Sequence, residues 1–104
     1  MKYGLSEVQL DEIIQILGRY PEVEEAVLFG SRAMGTHKAA SDVDIALKGE
    51  RVNAGLAAKL KDHLEDETYL PFFFDIIAYP TITNEALKKH IDGKGLCILR
   101  RGGM

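Results

Sequence analysis

The chain has 104 residues, 46% hydrophobic and 28% charged, with one cysteine and a formal net charge of −3. This predicts a single domain over 1–104 that buries roughly two-thirds of its unfolded surface, and it excludes a disulfide scaffold and a protein that grips nucleic acid mainly through phosphates. No stretch approaches the ~20 apolar residues of a membrane span, and MKYGLSEVQL lacks the apolar core of a signal peptide, so the expected location is cytoplasmic.

Ser6 and Gln9 read as a capping box that opens a helix. Leu10, Ile13, Ile14 and Leu17 give that helix one apolar stripe, and Gly18 and Pro21 end it. VEEAVLFG, 23–30, predicts a strand with Val23, Val27 and Phe29 on one face and Ala26 and Leu28 on the other. A Gly30-Ser31 turn follows, Arg32–Met34 allow one helical turn, and 35–41 read as loop. VDIALK, 43–48, is the second strand. Asn53 caps a helix over 54–66, with Leu56, Ala57, Leu60 and Leu64 on its buried side. The aromatic and β-branched PFFFDIIAY, 71–79, predicts the third strand. After Thr83, NEALKKHID reads as a short helix stopped by Gly93. GLCILR, 95–100, is a last strand in which Cys97 reads as a small core residue, and RGGM should fray. The order α-β-α-β-α-β-α-β gives an α/β sheet domain without repeat or linker.

Asp42 and Asp44 flank Val43 in a segment that otherwise reads as a buried strand. Residues two apart on a strand share a face, so both carboxylates project together while Val43, Ile45 and Leu47 turn to the core. Two carboxylates held close repel each other, and a hard divalent cation such as Mg²⁺ offsets that repulsion. Asp75 interrupts a hydrophobic strand where an unpaired carboxylate is costly. If that strand lies beside 43–48, three carboxylates can surround one or two metal ions, the arrangement that clamps both oxygens of an in-line displacement at phosphorus.

Gly30 has no Cβ, so a phosphate can approach the backbone. Ser31 offers a hydroxyl, and the turn presents N–H groups to an anion. Arg32 could add charge or point to solvent, and Ser41 could orient Asp42. GSRAMGTH has the glycine spacing of a Walker A loop, but Thr36-His37 stands where Lys-Ser/Thr is required. His37 reads as loop, and His63 and His90 as helix surface. Tyr69 and Tyr79 read as packing or interface residues. Phe73, Ile77 and Tyr79 share a face with Asp75, and apolar groups beside a metal site imply a protein partner or self-association.

Gly30-Ser31, ten residues, then Asp42-Val43-Asp44, with Asp75 in a later hydrophobic strand, resembles the nucleotidyltransferase superfamily that includes DNA polymerase β. FGSRAMGTHKAASDVDIAL and the chain length are similar to its minimal prokaryotic members. The resemblance implies a mixed β-sheet with helices packed on one face and the metal site on the other. It implies transfer of a nucleoside monophosphate from ATP or another triphosphate to an acceptor hydroxyl, with release of pyrophosphate. Asp42, Asp44 and Asp75 would hold Mg²⁺, two ions in all, and Asp75 would help deprotonate the acceptor. Gly30, Ser31, Arg32 and Ser41 would hold the nucleotide. Many minimal members pair with a helical HEPN protein, commonly an RNase toxin, and act as its antitoxin, some by adenylylating it. The expected function is therefore Mg²⁺-dependent transfer of AMP to a HEPN partner in a homo- or hetero-oligomer, without membrane or sequence-specific nucleic-acid binding. The alternative is a non-catalytic module that neutralises its partner by contact.

Overall fold

Helix starts follow the capping chemistry. Ser6 Oγ accepts the Gln9 N–H at 3.1 Å while Gln9 Oε1 accepts the Ser6 N–H at 2.9 Å, and α1 spans Glu7–Gly18. The computed structural model describes residues 1–101, and beyond α1 it contains β1 (Glu25–Phe29), α2 (Gly30–Met34) and β2 (Val43–Lys48). Asn53 accepts the Leu56 N–H to open α3 (Ala54–Asp66). Then come β3 (Phe74–Ala78), a 3₁₀ turn over Tyr79–Thr81, α4 (Glu85–Lys94) and β4 (Leu96–Arg100).

Several boundaries differ from the sequence expectation, each for a local reason. β1 starts at Glu25, because the Val23 N–H is held by Tyr20 O in the preceding turn. β3 starts at Phe74, where its pairing with β2 opens as Val43↔Phe74, and Phe72 instead faces the Arg32 guanidinium. α4 runs through Gly93 to Lys94 and closes with the Gly95 N–H on Ile91 O. A lone glycine costs a helix about 1 kcal/mol, which does not stop it. Ile16, not Ile14, completes the buried stripe of α1. Cys97 is exposed on β4, an edge strand, and is not a core residue. Arg101 is anchored rather than frayed: its N–H reaches Glu24 O at 2.9 Å and its Nε reaches Val23 O at 2.7 Å. The rest of the expected fraying, 102–104, lies outside the described residues.

The four strands form one mixed sheet in the order β3-β2-β1-β4, with β2 and β3 parallel and the other pairs antiparallel. Alternation sends Ala26, Leu28, Val43, Ile45, Leu47, Phe74 and Ile76 to one face, where Ile13 and Leu17 of α1 and Leu60 and Leu64 of α3 cover them. The helix layer expected on one face is thus α1 and α3. α4 lies on the opposite face, where Ile91 packs with Val27, Phe29 and Ala46. Among the described residues, no helix is long and apolar enough to cross a membrane.

Candidate active site

β1 ends where β2 and β3 begin, so three strand ends meet at one corner of the α4 face. The register pairs Phe29 with Asp44 and Asp44 with Asp75, in a row across three strands. Asp42 stands one step before β2 and is exposed, as is Asp75, while Asp44 is half-buried. Among the described residues, no hydrogen bond or ion pair engages any of these three carboxylates. Burial, then the charges of Asp75 and Asp42, push the Asp44 carboxyl up to about 6 against the pull of Arg32.

The three carboxylates share a corner without forming a preformed cage. Among the described residues, no three His, Cys, Asp or Glu side chains are drawn together closely enough to hold a metal ion. Their chemistry fits Mg²⁺ nonetheless, since that ion takes one or two carboxylate oxygens and fills its shell with water and substrate phosphates. An unpartnered carboxylate whose charge is disfavoured, as at Asp44, is a donor such an ion stabilises.

Gly30 opens α2 with φ +75°, a left-handed conformation open to glycine. A side chain there would collide with Asp44 Oδ2, so the glycine lets the carboxylate lie against the turn. Its N–H is already engaged, donating to His90 Nε2 of α4 at 2.9 Å. The His90 ring also meets Phe29 edge-on, with centroids 6.1 Å apart. His90 is therefore not helix surface. It follows Leu87 by three residues and precedes Ile91, so the helical period already put it beside the apolar stripe. Ser31 is half-buried next to Gly30, and its carbonyl accepts the Thr36 N–H at 3.0 Å.

Arg32 does not point to solvent, being 2% exposed. It donates to Tyr3 O at 2.9 Å, to Ser41 O at 2.8 Å and 3.2 Å, and to Ala39 O at 3.4 Å. Its guanidinium lies over the Phe72 ring, 4.9 Å from the centroid. Burial pulls its pKa down, while Asp44 and Asp42 favour its charge. These bonds shape the loop that delivers Asp42, so a phosphate could reach the guanidinium only by displacing them. Ser41 works in the same loop: its Oγ accepts the Lys38 N–H at 2.8 Å and does not orient Asp42.

The other singled-out side chains divide. His37 is half-buried near Gly4 and the Arg32 guanidinium, with Nδ1 buried and, among the described residues, without a hydrogen-bond partner. His63 Nδ1 lies 2.9 Å from the Tyr20 hydroxyl, on the α1–α3 side of the sheet. Tyr79 donates to Asp92 Oδ1 at 2.8 Å. Tyr69 and Phe73, in the segment leading into β3, are exposed.

The family described as "Polymerase beta, Nucleotidyltransferase" matches residues 11–102. No curated protein matches the sequence. Among solved structures, a chain of a toxin–antitoxin complex with AMP-PNP superposes with a TM-score of 0.74 at 22% identity, covering 88% of this chain and 73% of that one. A chain of the MntA-HepT toxin–antitoxin gives 0.69 at 18% identity, covering 92% and 74%. A chain of the complex between tri-AMPylated Shewanella oneidensis HEPN toxin and MNT antitoxin gives 0.71 at 18% identity, covering 93% and 74%. At these identities the likeness is one of fold.

Proposed function

The chain belongs to the polymerase β nucleotidyltransferase family, and from that premise we propose that it transfers AMP from ATP to a hydroxyl of a partner protein. The reading carries over to the partner: a HEPN-type toxin, with this chain as the antitoxin. The observation that supports it most is the corner where Asp44 faces Asp75, flanked by Asp42, with no hydrogen bond or ion pair to these carboxylates among the described residues. Carboxylates left free beside a glycine turn are suited to ligands from outside the chain.

Asp42, Asp44 and Asp75 would hold Mg²⁺, and Gly30 and Ser31 would carry the triphosphate. The bound ion supplies positive charge for the α-phosphate and for the leaving pyrophosphate. The acceptor oxygen forms a bond to the α-phosphorus as the bond to the bridging oxygen of pyrophosphate breaks. Asp75, exposed at the start of β3, takes the hydroxyl proton. Arg32 and Ser41 serve from behind, by holding the loop that ends at Asp42. The exposed Tyr69 and Phe73 lie just before Asp75 in the chain and give a partner an apolar foothold near the site. The fold likeness to a complex whose toxin is tri-AMPylated supports the same choice of acceptor.

A second reading, neutralisation by contact alone, is favoured by one observation. Among the described residues, the three carboxylates are not drawn into a ready metal cage. Label transfer from α-labelled ATP to a HEPN partner separates the two. The parent with Mg²⁺ should label the partner, and the Asp42→Asn, Asp44→Asn double variant should not, while still binding it. A double variant that neutralises the partner as well as the parent would establish contact as sufficient and remove the case for transfer.

A further inference from the structure

We infer that His90 is a positioning residue for the nucleotide turn: from α4 its imidazole holds the Gly30 N–H and so fixes how Ser31 meets a triphosphate. The inference rests on the functional reading above and adds to it a residue from a different layer of the fold. Gly30 and His90 are 60 residues apart in sequence, yet their 2.9 Å bond joins the first residue of α2 to the middle of α4. The first N–H groups of a helix have no partner within it, and a left-handed glycine has more conformations to lose than any other residue. Gly30 therefore needs restraint from elsewhere. Asp44 restrains it on one side by filling the space of a Cβ, and His90 restrains it through the N–H.

His90 is itself well held. The neighbouring Ile91 is 2% exposed and packs with Val27, Phe29 and Ala46, which seats α4 on the sheet. The edge-on contact with Phe29 sets the plane of the ring. To accept an N–H at Nε2, the neutral imidazole must carry its proton on Nδ1. A turn fixed in advance in this way spends less of the binding energy on ordering itself when nucleotide arrives.

Two substitutions separate the acceptor from the ring. His90→Phe keeps a ring against Phe29 and deletes the acceptor, and His90→Gln offers Oε1 close to where Nε2 stands. By calorimetry with Mg·ATP, His90→Phe should weaken binding about five- to tenfold, the effect of one lost hydrogen bond, and His90→Gln should recover to within about twofold of the parent. In the nucleotide-free parent, nitrogen NMR should find Nδ1 protonated and Nε2 bare, and the Gly30 amide should exchange faster in His90→Phe. A His90→Phe variant that binds Mg·ATP like the parent overturns the inference, and so does an imidazole protonated on Nε2. A parent that binds no Mg·ATP, yet shows the Nδ1–H tautomer and a protected Gly30 amide, fails the functional reading. In that case the bond is purely structural and the inference falls with it, and the NMR readout tells this failure from the others.

Discussion

Behind the sheet, Ile13, Leu17, Ile45, Leu47, Leu60 and Leu64 are fully buried in one continuous cluster. In front, the buried cluster among the described residues is Val27, Phe29, Ala46 and Ile91, and the same surface carries Asp44, Asp75 and His90. The two faces come from the same strands by simple alternation, yet one closes over apolar atoms and, among the described residues, the other leaves carboxylates without partners. Stability and chemistry are thereby assigned to opposite sides of a single sheet. The site face can carry unfavourable charge because the rear face supplies most of the burial.

Truncation on each face tests that division with the largest effects. Leu60→Ala should cost about 3 kcal/mol in urea unfolding, since its neighbours are helix and sheet on all sides, and should leave Mg·ATP affinity unchanged. Ile91→Ala should cost less, about 2 kcal/mol, in the smaller cluster, but should weaken nucleotide binding by loosening α4 under His90. If both variants lose only stability, the two faces are not functionally distinct.

Arg32→Lys comes next. Lysine keeps the charge but lacks the planar fork that reaches Tyr3 O and Ser41 O together. The expected loss is about 2 kcal/mol, measured by the same unfolding. A lysine variant of full stability and reduced nucleotide affinity would return Arg32 to the role of a direct phosphate ligand.

Asp44→Asn should give the smallest change, and in the opposite direction. Burial, then the charges of Asp75 and Asp42, push the Asp44 carboxyl up to about 6 from the 3.8 of a free side chain. Below the lower value it is protonated in both states and costs nothing. As pH rises through the interval, ionisation is disfavoured in the fold, and the full cost is present above the folded value. Metal-free Asp44→Asn should therefore be more stable than the parent at pH 7, by about 1 kcal/mol after solvent screening, with the gain vanishing towards pH 4. Saturating Mg²⁺ should reverse the order, because the ion binds the folded parent with its full set of ligands. Unfolding curves with chelator and with Mg²⁺ across this pH range measure both. A variant less stable even in chelator would make Asp44 a structural residue.

What could be read directly from the sequence was what neighbours in the chain decide. The capping box at Ser6 and Gln9 and the cap at Asn53 that opens α3 rest on contacts three residues long, and alternation within VDIALK marks β2 although its pairing with β1 and β3 is long-range. The spacing of Gly30-Ser31 and Asp42-Val43-Asp44 also pointed to a corner that the fold assembles, with Asp75 arriving by strand register. The partners that cross the fold were harder to see. Arg32 finds its partners in the N-terminal segment and in its own loop, and no periodicity announces a buried guanidinium. His90 meets Gly30 only because α4 returns over the front of the sheet. Cys97 sits in an apolar run, but β4 is an edge strand, where an apolar sequence does not ensure burial.

Arg101 carries a consequence for how the chain reaches this structure. Its side chain bonds to Val23 O, 78 residues away, and to the carbonyls of Gly18 and Tyr20. Closing a loop of that length carries a large entropic cost that a few hydrogen bonds do not offset, so the seam sealed by β4 and Arg101 should form after the β2–α3–β3 unit has condensed. Interactions made after the folding barrier govern how fast a protein comes apart, not how fast it assembles. Arg101→Ala should therefore accelerate unfolding while leaving the refolding rate nearly unchanged. The last strand then acts as a kinetic latch on a sheet whose carboxylate corner is already in register.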